Sequence, residues 1–210
     1  MQPNYTLRAV TLEEKEIQAV LQFATRIFEE DEPLNTVSQS LVDASDIGEH
    51  LIAILRQSLS VLALDDGGEI IGVSLNGLIK REEAETNNFE FDPKTCEDGI
   101  LQLLLHVRRE DKMWDKLPKT CNTVLELHMC AVRSDWRGKG VMTALTKKTE
   151  RMARTTCAAA VRIEATSAFS AKVAEKLGYK EIYRLPYKDQ IYTPSPAPPH
   201  LDMRVYIKEL

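Results

Sequence analysis

The sequence has few cysteines and no long hydrophobic run. Its four cysteines show neither CxxC spacing nor the density of a disulfide framework: Cys96, Cys121, Cys130 and Cys157. The last three lie in apolar or strand-like segments, which predicts buried free thiols in a reducing compartment. No apolar run approaches the roughly 20 residues that a membrane span needs, and the N-terminal residues MQPNYTLRAV lack the basic and apolar regions of a signal peptide. We therefore expect a cytoplasmic protein with no membrane partner.

The composition also lacks the excess of basic residues that is typical of nucleic-acid-binding proteins. The net charge is -5, which argues against a nucleic-acid partner and is compatible with a cationic small molecule as ligand. Hydrophobic residues make up 43% and charged residues 28% of the 210 residues, ordinary proportions for a soluble domain. The length predicts a single domain over residues 1–210. A monomer is expected, because no helix shows a surplus apolar face.

The N-terminal segment is predicted to form a strand and a helix. Residues Tyr5–Val10 alternate in polarity, as in a short strand. Thr11 and Glu14 have the spacing of a capping box, and an apolar stripe follows them at helical spacing. This helix should continue to the start of the acidic run EEDE at 29–32, because the proline that follows disfavours helical geometry at Glu32.

The remaining sequence predicts further alternation of strands and helices. Two β-rich runs around the DDGG turn at 65–68 indicate a hairpin, and Gly178 is an expected helix end. The charged segment 80–94 is predicted to be a loop, and the proline-rich segment 193–199 a link without regular structure. The predicted helices lie around 47–57, 98–109, 141–154 and 167–177, and the strands at 60–64, 69–79, 123–132, 159–165, 179–185 and 201–207. This order predicts one mixed α/β domain.

A short glycine-containing loop follows the longest predicted strand. Gly138 and Gly140 let the backbone turn tightly and approach a ligand closely. The helix that begins near Val141 would place free N–H groups beside them, which favours an anion. Arg137 and Lys139 add positive charge, so a diphosphate is the expected ligand. The alternative is a basic surface turn, because the loop has neither the Walker A nor the Rossmann pattern.

The loop Arg137-Gly138-Lys139-Gly140-Val141-Met142 resembles the central motif of the GNAT acetyltransferase superfamily, R/Q-x-x-G-x-G/A, with Met142 in place of its last small residue. The segment SAFSAKVAEKLGYKEIY at 167–183 is similar to the second motif of that superfamily. The resemblance implies an α/β fold with a central, mostly antiparallel sheet of about seven strands. It also implies a splay between strands 4 and 5, helices on both faces, acetyl-CoA as co-substrate and no metal.

Four segments resemble the insect-type arylalkylamine N-acetyltransferases, the dopamine N-acetyltransferase-like group: IFEEDEPLNT at 27–36, LELHMCAV at 125–132, TSAFSAKV at 166–173 and PPH at 198–200. Within them DEPLN is the most specific, since nothing in folding is expected to demand it. The resemblance implies acetyl transfer to a small arylalkylamine such as dopamine, serotonin, octopamine or tyramine. Polyamines, agmatine and histamine are alternative acceptors, and a non-catalytic acyl-CoA-binding domain is an alternative function.

Glu32 matches the position that acts as general base in the insect family. An alkylamine with a pKa of roughly 10 is mostly protonated at neutral pH, so a base must remove a proton before the amine attacks. The alternative interpretation of Glu32 is a solvated charge in an acidic run. Glu126 and His128 are alternative bases, because their spacing places both on one face of the strand. The opposite face is predicted to carry Leu125, Leu127 and Met129.

Hydroxyl groups are candidates for protonating the leaving sulfur. Thr166 and Ser170 match hydroxyl positions of the insect family, so the resemblance implies that Ser170 hydrogen-bonds the sulfur or forms a relay with Thr166. Many GNAT enzymes use a tyrosine at a position that matches Ala174 here. The alternative interpretation is that Ser167 or Ser170 caps the following helix.

The long strand has a second implied role in binding the donor. The superfamily pairs the backbone edge around Met129, Cys130 and Val132 with the pantetheine amides, as an added strand would pair. The N–H of Met129 or Cys130 would also face the oxyanion. Because Cys130 could carry the acetyl group only as an activated thiolate, direct transfer is expected. With residues 137–142, these positions form the predicted coenzyme A site.

Overall fold

The computed structural model of the protein describes residues 4–37, 44–85 and 99–210. The strands within these ranges are β1 (Tyr5–Ala9), β2 (Val61–Asp65), β3 (Ile70–Lys80), β4 (Thr123–Val132), β5 (Ala160–Ala165), β6 (Lys180–Pro186) and β7 (Asp202–Glu209). The helices are α1 (Glu14–Asp31), α2 (Ala44–Leu55), α3 (Arg81–Glu85), α4 (Gly99–Glu110), α5 (Met113–Lys116), α6 (Val141–Ala153) and α7 (Ala168–Lys176). Short 3-10 turns lie at Ser134–Trp136 and Tyr187–Asp189.

The strands form one seven-stranded sheet in the order β1-β2-β3-β4-β5-β7-β6. All neighbouring pairs are antiparallel except β4 and β5, which are parallel and pair only over Val124–Leu127 with Ala160–Ile163. Beyond these four residue pairs the two strands separate. The predicted fold class, a mostly antiparallel mixed sheet splayed between the fourth and fifth strands, is confirmed.

A β-bulge at His128 interrupts the pairing of β4 with β3. Leu75 pairs with Met129 while Asn76 pairs with Leu127, so His128 is an extra residue in the ladder. The side chains after the bulge change faces. Leu127 packs in the core beneath α6 and α7, whereas Met129 packs in the core formed with α1 and α2. The prediction that Leu125, Leu127 and Met129 share a face is therefore wrong at Met129, because an insertion shifts the two-residue period.

Helices cover both faces of the sheet. The apolar stripe of α1 is buried as predicted, and it packs with α2 against β3 and the end of β4: Ile17, Val20, Leu21, Ala24 and Ile27. On the opposite face, Val141 and Leu145 of α6 pack against β2 and β3. A buried polar cluster supports this contact, where Asn76 Nδ2 donates to Thr149 Oγ1 at 3.1 Å. The sheet is thus enclosed on both sides around the splay.

The beginning of α1 differs from the prediction. The helix begins after Glu13, whose side chain makes no capping hydrogen bond, so the capping box of Thr11 and Glu14 is wrong. Glu16 instead accepts a hydrogen bond from the Thr11 N–H at 2.5 Å, and it forms an ion pair with Arg8 of β1 at 2.5 Å. A tertiary contact with β1 therefore defines the helix start. The helix also continues to Asp31, slightly beyond its predicted end.

The segment 80–94 was predicted to be a loop, and this is wrong for residues 81–85, which form α3. Arg81 anchors this helix through hydrogen bonds to the carbonyl oxygens of Cys121, Trp114 and Pro118 at 3.0 to 3.1 Å. These partners lie far along the sequence, so local pattern does not reveal the helix. Residues 86–94 lie outside the described residues, as does Cys96.

The three described cysteines are free thiols, as predicted. Cys121 is buried and Cys130 partly buried, but Cys157 is exposed, so the prediction of burial is wrong for Cys157. It lies in the turn that follows α6 rather than in the next strand. Among the described helices, none is long and apolar enough to cross a membrane.

Replacement of Leu145 by alanine should destabilise the fold strongly. The side chain is fully buried between α6 and the sheet, so Leu145→Ala should lower the free energy of unfolding by about 2 to 5 kcal/mol in urea denaturation. Leu201→Ala is the matched control, because Leu201 is 63% exposed and should change stability by less than about 0.5 kcal/mol. Equal losses in the two variants would contradict this packing.

Candidate functional site

A cavity of about 2060 Å³ opens where β4 and β5 separate. Its walls come from the end of α1, α2, α4, β4, the loop after β4, β5 and α7. The predicted site residues that line it are Glu32, His128, Met129, Cys130, Val132, Arg137, Gly138, Gly140, Val141, Met142, Thr166 and Ser170. Lys139 is the predicted residue that is not among the lining residues. One cavity therefore contains most of the positions that the sequence indicates.

The glycine loop has the backbone geometry of an anion site. Gly138 and Gly140 have φ angles of 71° and 83°, in the left-handed region that favours glycine. Gly140 is the N-cap of α6 and provides no capping side chain. The first N–H groups of α6 consequently have no partner within the helix and face the cavity end of the loop. Backbone N–H groups and the helix dipole together favour a diphosphate here.

The two basic side chains of the loop contact other parts of the protein. Lys139 Nζ lies 4.9 Å from the ring centroid of Trp136. Arg137 donates to Asp31 of α1, with one contact at 3.1 Å, and to the carbonyl oxygen of Val132 at 3.1 Å. In this structure the backbone provides the attraction for an anion. Arg137 instead ties the loop to the residue that precedes Glu32.

Glu32 ends α1 and turns its carboxylate into the cavity. The chain becomes extended at Glu32, and the side chain accepts hydrogen bonds from Thr166 Oγ1 at 3.0 Å and from the Leu34 N–H at 3.4 Å. Burial raises the pKa of Glu32 to about 7, because these two hydrogen bonds only partly replace water. The alternative of a freely solvated acidic side chain does not describe this residue.

The DEPLN segment has a folding role as well. Leu34 is 1% exposed and packs against α4, and Asn35 Nδ2 donates to the carbonyl oxygen of Phe28 at 3.1 Å. Asn35 therefore satisfies a carbonyl group at the end of α1. The expectation that nothing in folding demands this segment is wrong for these two residues.

Thr166 connects Glu32 to a buried tyrosine. The hydroxyl of Tyr187 donates to the carbonyl oxygen of Thr166 at 2.6 Å. Burial raises the pKa of Tyr187 far above its ordinary range, and the nearby Glu32 adds to the effect, so the phenol remains a donor. The contact fixes the end of β5 and therefore the hydroxyl that holds Glu32. Sequence reasoning missed Tyr187, because only the fold brings it to Thr166.

The hydroxyl of Ser170 belongs to the cap of α7. Ser167 is the N-cap and accepts the Ser170 N–H at 3.1 Å, while Ser170 Oγ donates to the carbonyl oxygen of Ser167 at 2.9 Å. Within the described part of the chain, no hydrogen bond joins Ser170 to Thr166, so the structure does not form the predicted relay. Ser170 still lines the cavity. His200 supports the same cap by accepting the Ala168 N–H at 3.2 Å.

Two further positions bear on the chemistry. Ala174 is fully buried in the core beneath α7, so a larger side chain at this position could not reach the cavity without repacking. Burial raises the pKa of the Cys130 thiol to about 12, which keeps it protonated at neutral pH. A nucleophilic thiolate at Cys130 is therefore disfavoured.

A buried ion network joins β4 to β5 at the floor of the cavity. Arg162 of β5 is 1% exposed and binds Glu126 of β4, Asp111 at 2.6 Å, and Glu164. Arg108 of α4 binds the two oxygens of Glu126 at 2.8 and 2.6 Å. Sequence reasoning missed this network, although Arg162 and Glu164 interrupt an apolar strand pattern at the spacing of one strand face.

The network makes Glu126 and His128 poor bases. Burial alone would raise the pKa of Glu126, but the Arg108 and Arg162 guanidiniums outweigh it and hold that pKa well below its usual range. Burial lowers the pKa of His128 to about 4, with Glu126 3.5 Å away as a partial counterweight. At neutral pH, Glu126 is therefore ionised and His128 neutral. Among the three candidate bases, Glu32 is the one whose pKa suits it to accept a proton.

No group of acidic, histidine or cysteine side chains in the described ranges is arranged to hold a metal ion. In a comparison with protein families, the model described as the acetyltransferase (GNAT) family matches residues 24–179, which is well over half of the sequence.

Solved structures with the same fold cover nearly the whole chain. A polyamine N-acetyltransferase from Drosophila melanogaster, which forms N-acetylagmatine, has a TM-score of 0.85 at 21% identity over 99% of this chain and 100% of its own. Arylalkylamine N-acetyltransferase 2 from Aedes aegypti has a TM-score of 0.82 at 22% identity over 98% and 99%. A mosquito arylalkylamine N-acetyltransferase-like 5b has a TM-score of 0.84 at 23% identity over 99% and 100%. At these identities the likeness shows a shared fold.

Replacement of Glu126 by glutamine should destabilise the protein, because it removes a carboxylate that faces two buried or partly buried guanidiniums. We expect the free energy of unfolding to fall by about 3 kcal/mol or more at neutral pH. The pKa of Glu126 is lowered in the folded state. The stability that the ionised carboxylate contributes is therefore fully present above the ordinary glutamate pKa, and it is lost as the pH falls below that value toward the lowered pKa of the folded state.

Glu181→Gln is the matched control for this change. Glu181 forms an exposed ion pair with Arg184 at 2.8 Å, and such pairs contribute about 0 to 1 kcal/mol. Denaturation curves at neutral pH compare the two variants. A loss of stability in Glu126→Gln no larger than in Glu181→Gln would contradict the role of the network.

Proposed function

Because the chain belongs to the GNAT acetyltransferase family, we propose that it transfers an acetyl group from acetyl-CoA to the primary amine of a small arylalkylamine. Dopamine, serotonin, octopamine and tyramine are the acceptors of this class that we consider first. The observation that carries the proposal is the location of Glu32. Its carboxylate, with a pKa of about 7, faces the same cavity as the glycine loop at the start of α6.

The donor would bind along the gap between the separated strands. The N–H groups at Gly138, Gly140 and the start of α6 would hold the diphosphate of coenzyme A. On the β5 side, the edge of β4 has no strand partner among the described residues after Leu127. The pantetheine amides would pair with this edge, and the N–H of Met129 or Cys130 would stabilise the oxyanion.

The proposed reaction is a direct transfer. Glu32 takes a proton from the ammonium group, directly or through water, and the free amine nitrogen attacks the thioester carbonyl carbon. The oxyanion then collapses and the C–S bond breaks, while the nitrogen loses its second proton and the leaving sulfur gains one, so that the amide and the thiol of coenzyme A result. Ser170 lies on the cavity wall and is the proposed proton donor to the sulfur. The protonated thiol of Cys130 supports transfer without an acetyl-enzyme intermediate.

A polyamine or agmatine acceptor is the second candidate. Several carboxylates line the cavity, Glu32 and Glu164 among them, and they favour a molecule with two cationic groups. The Drosophila melanogaster enzyme with the same fold forms N-acetylagmatine, which makes this acceptor worth testing. A thiol-release assay over aromatic amines, histamine, agmatine and diamines compares the classes. Strong selection for diamines would contradict the aromatic assignment.

The non-catalytic alternative, a domain that binds acyl-CoA without turnover, makes a different prediction in the same assay. It requires tight acetyl-CoA binding by calorimetry without thiol release for any amine in the panel. The partly buried Glu32 argues for turnover, since burial of a carboxylate without a cationic partner costs stability that a binding domain has no need to lose.

Replacement of Glu32 by glutamine should lower kcat/KM for the best amine by about 10² to 10⁴, while the dissociation constant for acetyl-CoA changes little. Since the ionised form is the base and its pKa is about 7, the ratio of wild-type to Glu32→Gln kcat/KM should be small below pH 7 and rise to a plateau above it. This ratio cancels the ionisation of the amine itself.

Glu30→Gln is the matched control, because Glu30 lies in the same acidic run but is exposed. Its kcat/KM and its pH profile should equal those of the wild type. Full activity in Glu32→Gln, or a ratio that does not vary with pH, would exclude Glu32 as the base.

Replacement of Gly140 by alanine should weaken coenzyme A binding about ten-fold or more in calorimetry, because an alanine disfavours the left-handed backbone that aims the N–H groups. Gly68→Ala is the control, since Gly68 has a similar φ of 82° in the distant hairpin turn. Both changes should cost stability to a similar degree. An unchanged affinity in Gly140→Ala would contradict the proposed diphosphate site.

A further inference from the structure

One face of β5 carries a row of polar side chains toward the cavity. Arg162 and Glu164 alternate along this face and Thr166 follows directly after the strand, while the intervening side chains Val161, Ile163 and Ala165 pack in the core beneath α6 and α7. Thr166 holds Glu32. Glu164 lies two residues earlier on the same face, which is roughly 6.6 Å away along the strand at about 3.3 Å per residue. A second carboxylate therefore faces the cavity within one small molecule's length of Glu32.

Glu164 differs from the neighbouring Glu126 in how its oxygens are used. Glu126 is 2% exposed, and both of its oxygens contact guanidinium groups. Glu164 contacts Arg162, and Arg108 Nε at 3.9 Å, through Oε1 alone. Its side chain is 14% exposed and lines the cavity. Oε2 of Glu164 is the carboxylate oxygen of the network that is left for a ligand on the cavity side.

The charge balance of the network also leaves Glu164 incompletely compensated. Two guanidiniums, of Arg108 and Arg162, face three carboxylates, of Asp111, Glu126 and Glu164, while His128 is neutral at pH 7. The pKa of Glu126 is lowered, whereas that of Glu164 is raised, because burial outweighs the attraction of Arg162 and Arg108. A further hydrogen-bond donor on the cavity side would therefore stabilise the ionised form of Glu164, whereas both oxygens of Glu126 already have guanidinium partners.

We propose that Glu164 is a specificity-determining residue that accepts a hydrogen bond from an N–H or O–H group at the end of the acceptor remote from the reacting amine. The proposal rests on the proposed amine acetyltransferase function and extends it by naming the substrate class. The acceptor would be bifunctional, with its reacting amine at Glu32 and a donor group at Glu164 Oε2. The second donor is a cationic nitrogen in a diamine or guanidino-amine, and a phenolic hydroxyl in a hydroxylated arylalkylamine.

A buried hydrogen-bond acceptor in a binding site discriminates strongly against any ligand that does not donate to it. Sites built to hydrogen-bond a substrate group reject the analogue that lacks it far more strongly than apolar pockets reject a missing methylene. An amine without a remote donor group would remove water from Oε2 of Glu164 without donating a hydrogen bond in its place. We therefore expect bifunctional acceptors to be preferred about ten-fold or more over their monofunctional analogues.

Two matched substrate pairs test the proposal: tyramine with phenethylamine, and putrescine with butylamine. The experiment measures kcat and KM for all four with the wild type, Glu164→Gln and Glu69→Gln, the last being a control in the exposed hairpin turn. In the wild type the bifunctional member of one pair should be favoured about ten-fold or more, mainly through KM. In Glu164→Gln that preference should fall to near unity, with the monofunctional amines changed little. The pair that responds identifies the second donor as phenolic or cationic.

A second variant covers the case in which Glu164→Gln destabilises the network. Glu164→Asp keeps the charge but withdraws the carboxylate, so it should lower the thermal midpoint less than Glu164→Gln does and preserve acetyl-CoA affinity, while it weakens the preference. A preference that is the same in the wild type and both variants would overturn the assignment of Glu164. Absence of thiol release with all amines, at normal acetyl-CoA affinity, would instead overturn the proposed function and this subsite together.

Discussion

The separation of β4 from β5 is the constraint on which the rest of the structure depends. The two strands share only four residue pairs, and the ion pair between Glu126 and Arg162 fastens them at the third pair, one before they part. The sheet gives up backbone pairing beyond this point. As a result, one edge of β4 faces the cavity. The backbone N–H and C=O groups on this edge, which a neighbouring strand would ordinarily pair, remain available to a ligand. The bulge at His128 lies at the same place and redirects the side chains that follow.

The cavity also shows how environment gives like side chains different properties. Glu126 and Glu32 are both removed from most of the solvent, but Glu126 faces two guanidiniums and Glu32 faces a hydroxyl and an N–H group. Their pKa values consequently move in opposite directions. One carboxylate keeps its charge and holds the sheet together, while the other can exchange a proton near neutral pH. This divergence is the usual physical basis for assigning acid and base roles within one site.

Local turn chemistry was predictable from sequence, and long-range contacts were not. The hairpin at 65–68 and the loop at Gly138 and Gly140 followed from residues that tolerate positive φ. The candidate Glu32 came from resemblance, but its partner Thr166 is 134 residues away. The bulge at His128 depends on the register with β3, which no single strand encodes. The buried network was missed for the same reason, since its charges are acceptable only when the fold pairs them.

The walls that α2 and α4 contribute to the cavity belong to separate cores. Leu51 and Leu55 of α2 pack with α1 against β3, whereas Leu103 and Val107 of α4 pack with the C-terminal strands. We therefore expect a change of shape in one wall to be accommodated mainly within its own core. The glycine loop and the paired part of β4 and β5 belong to neither wall. The fold can in this way be refitted to a different amine one wall at a time, with its means of holding the acyl donor left intact.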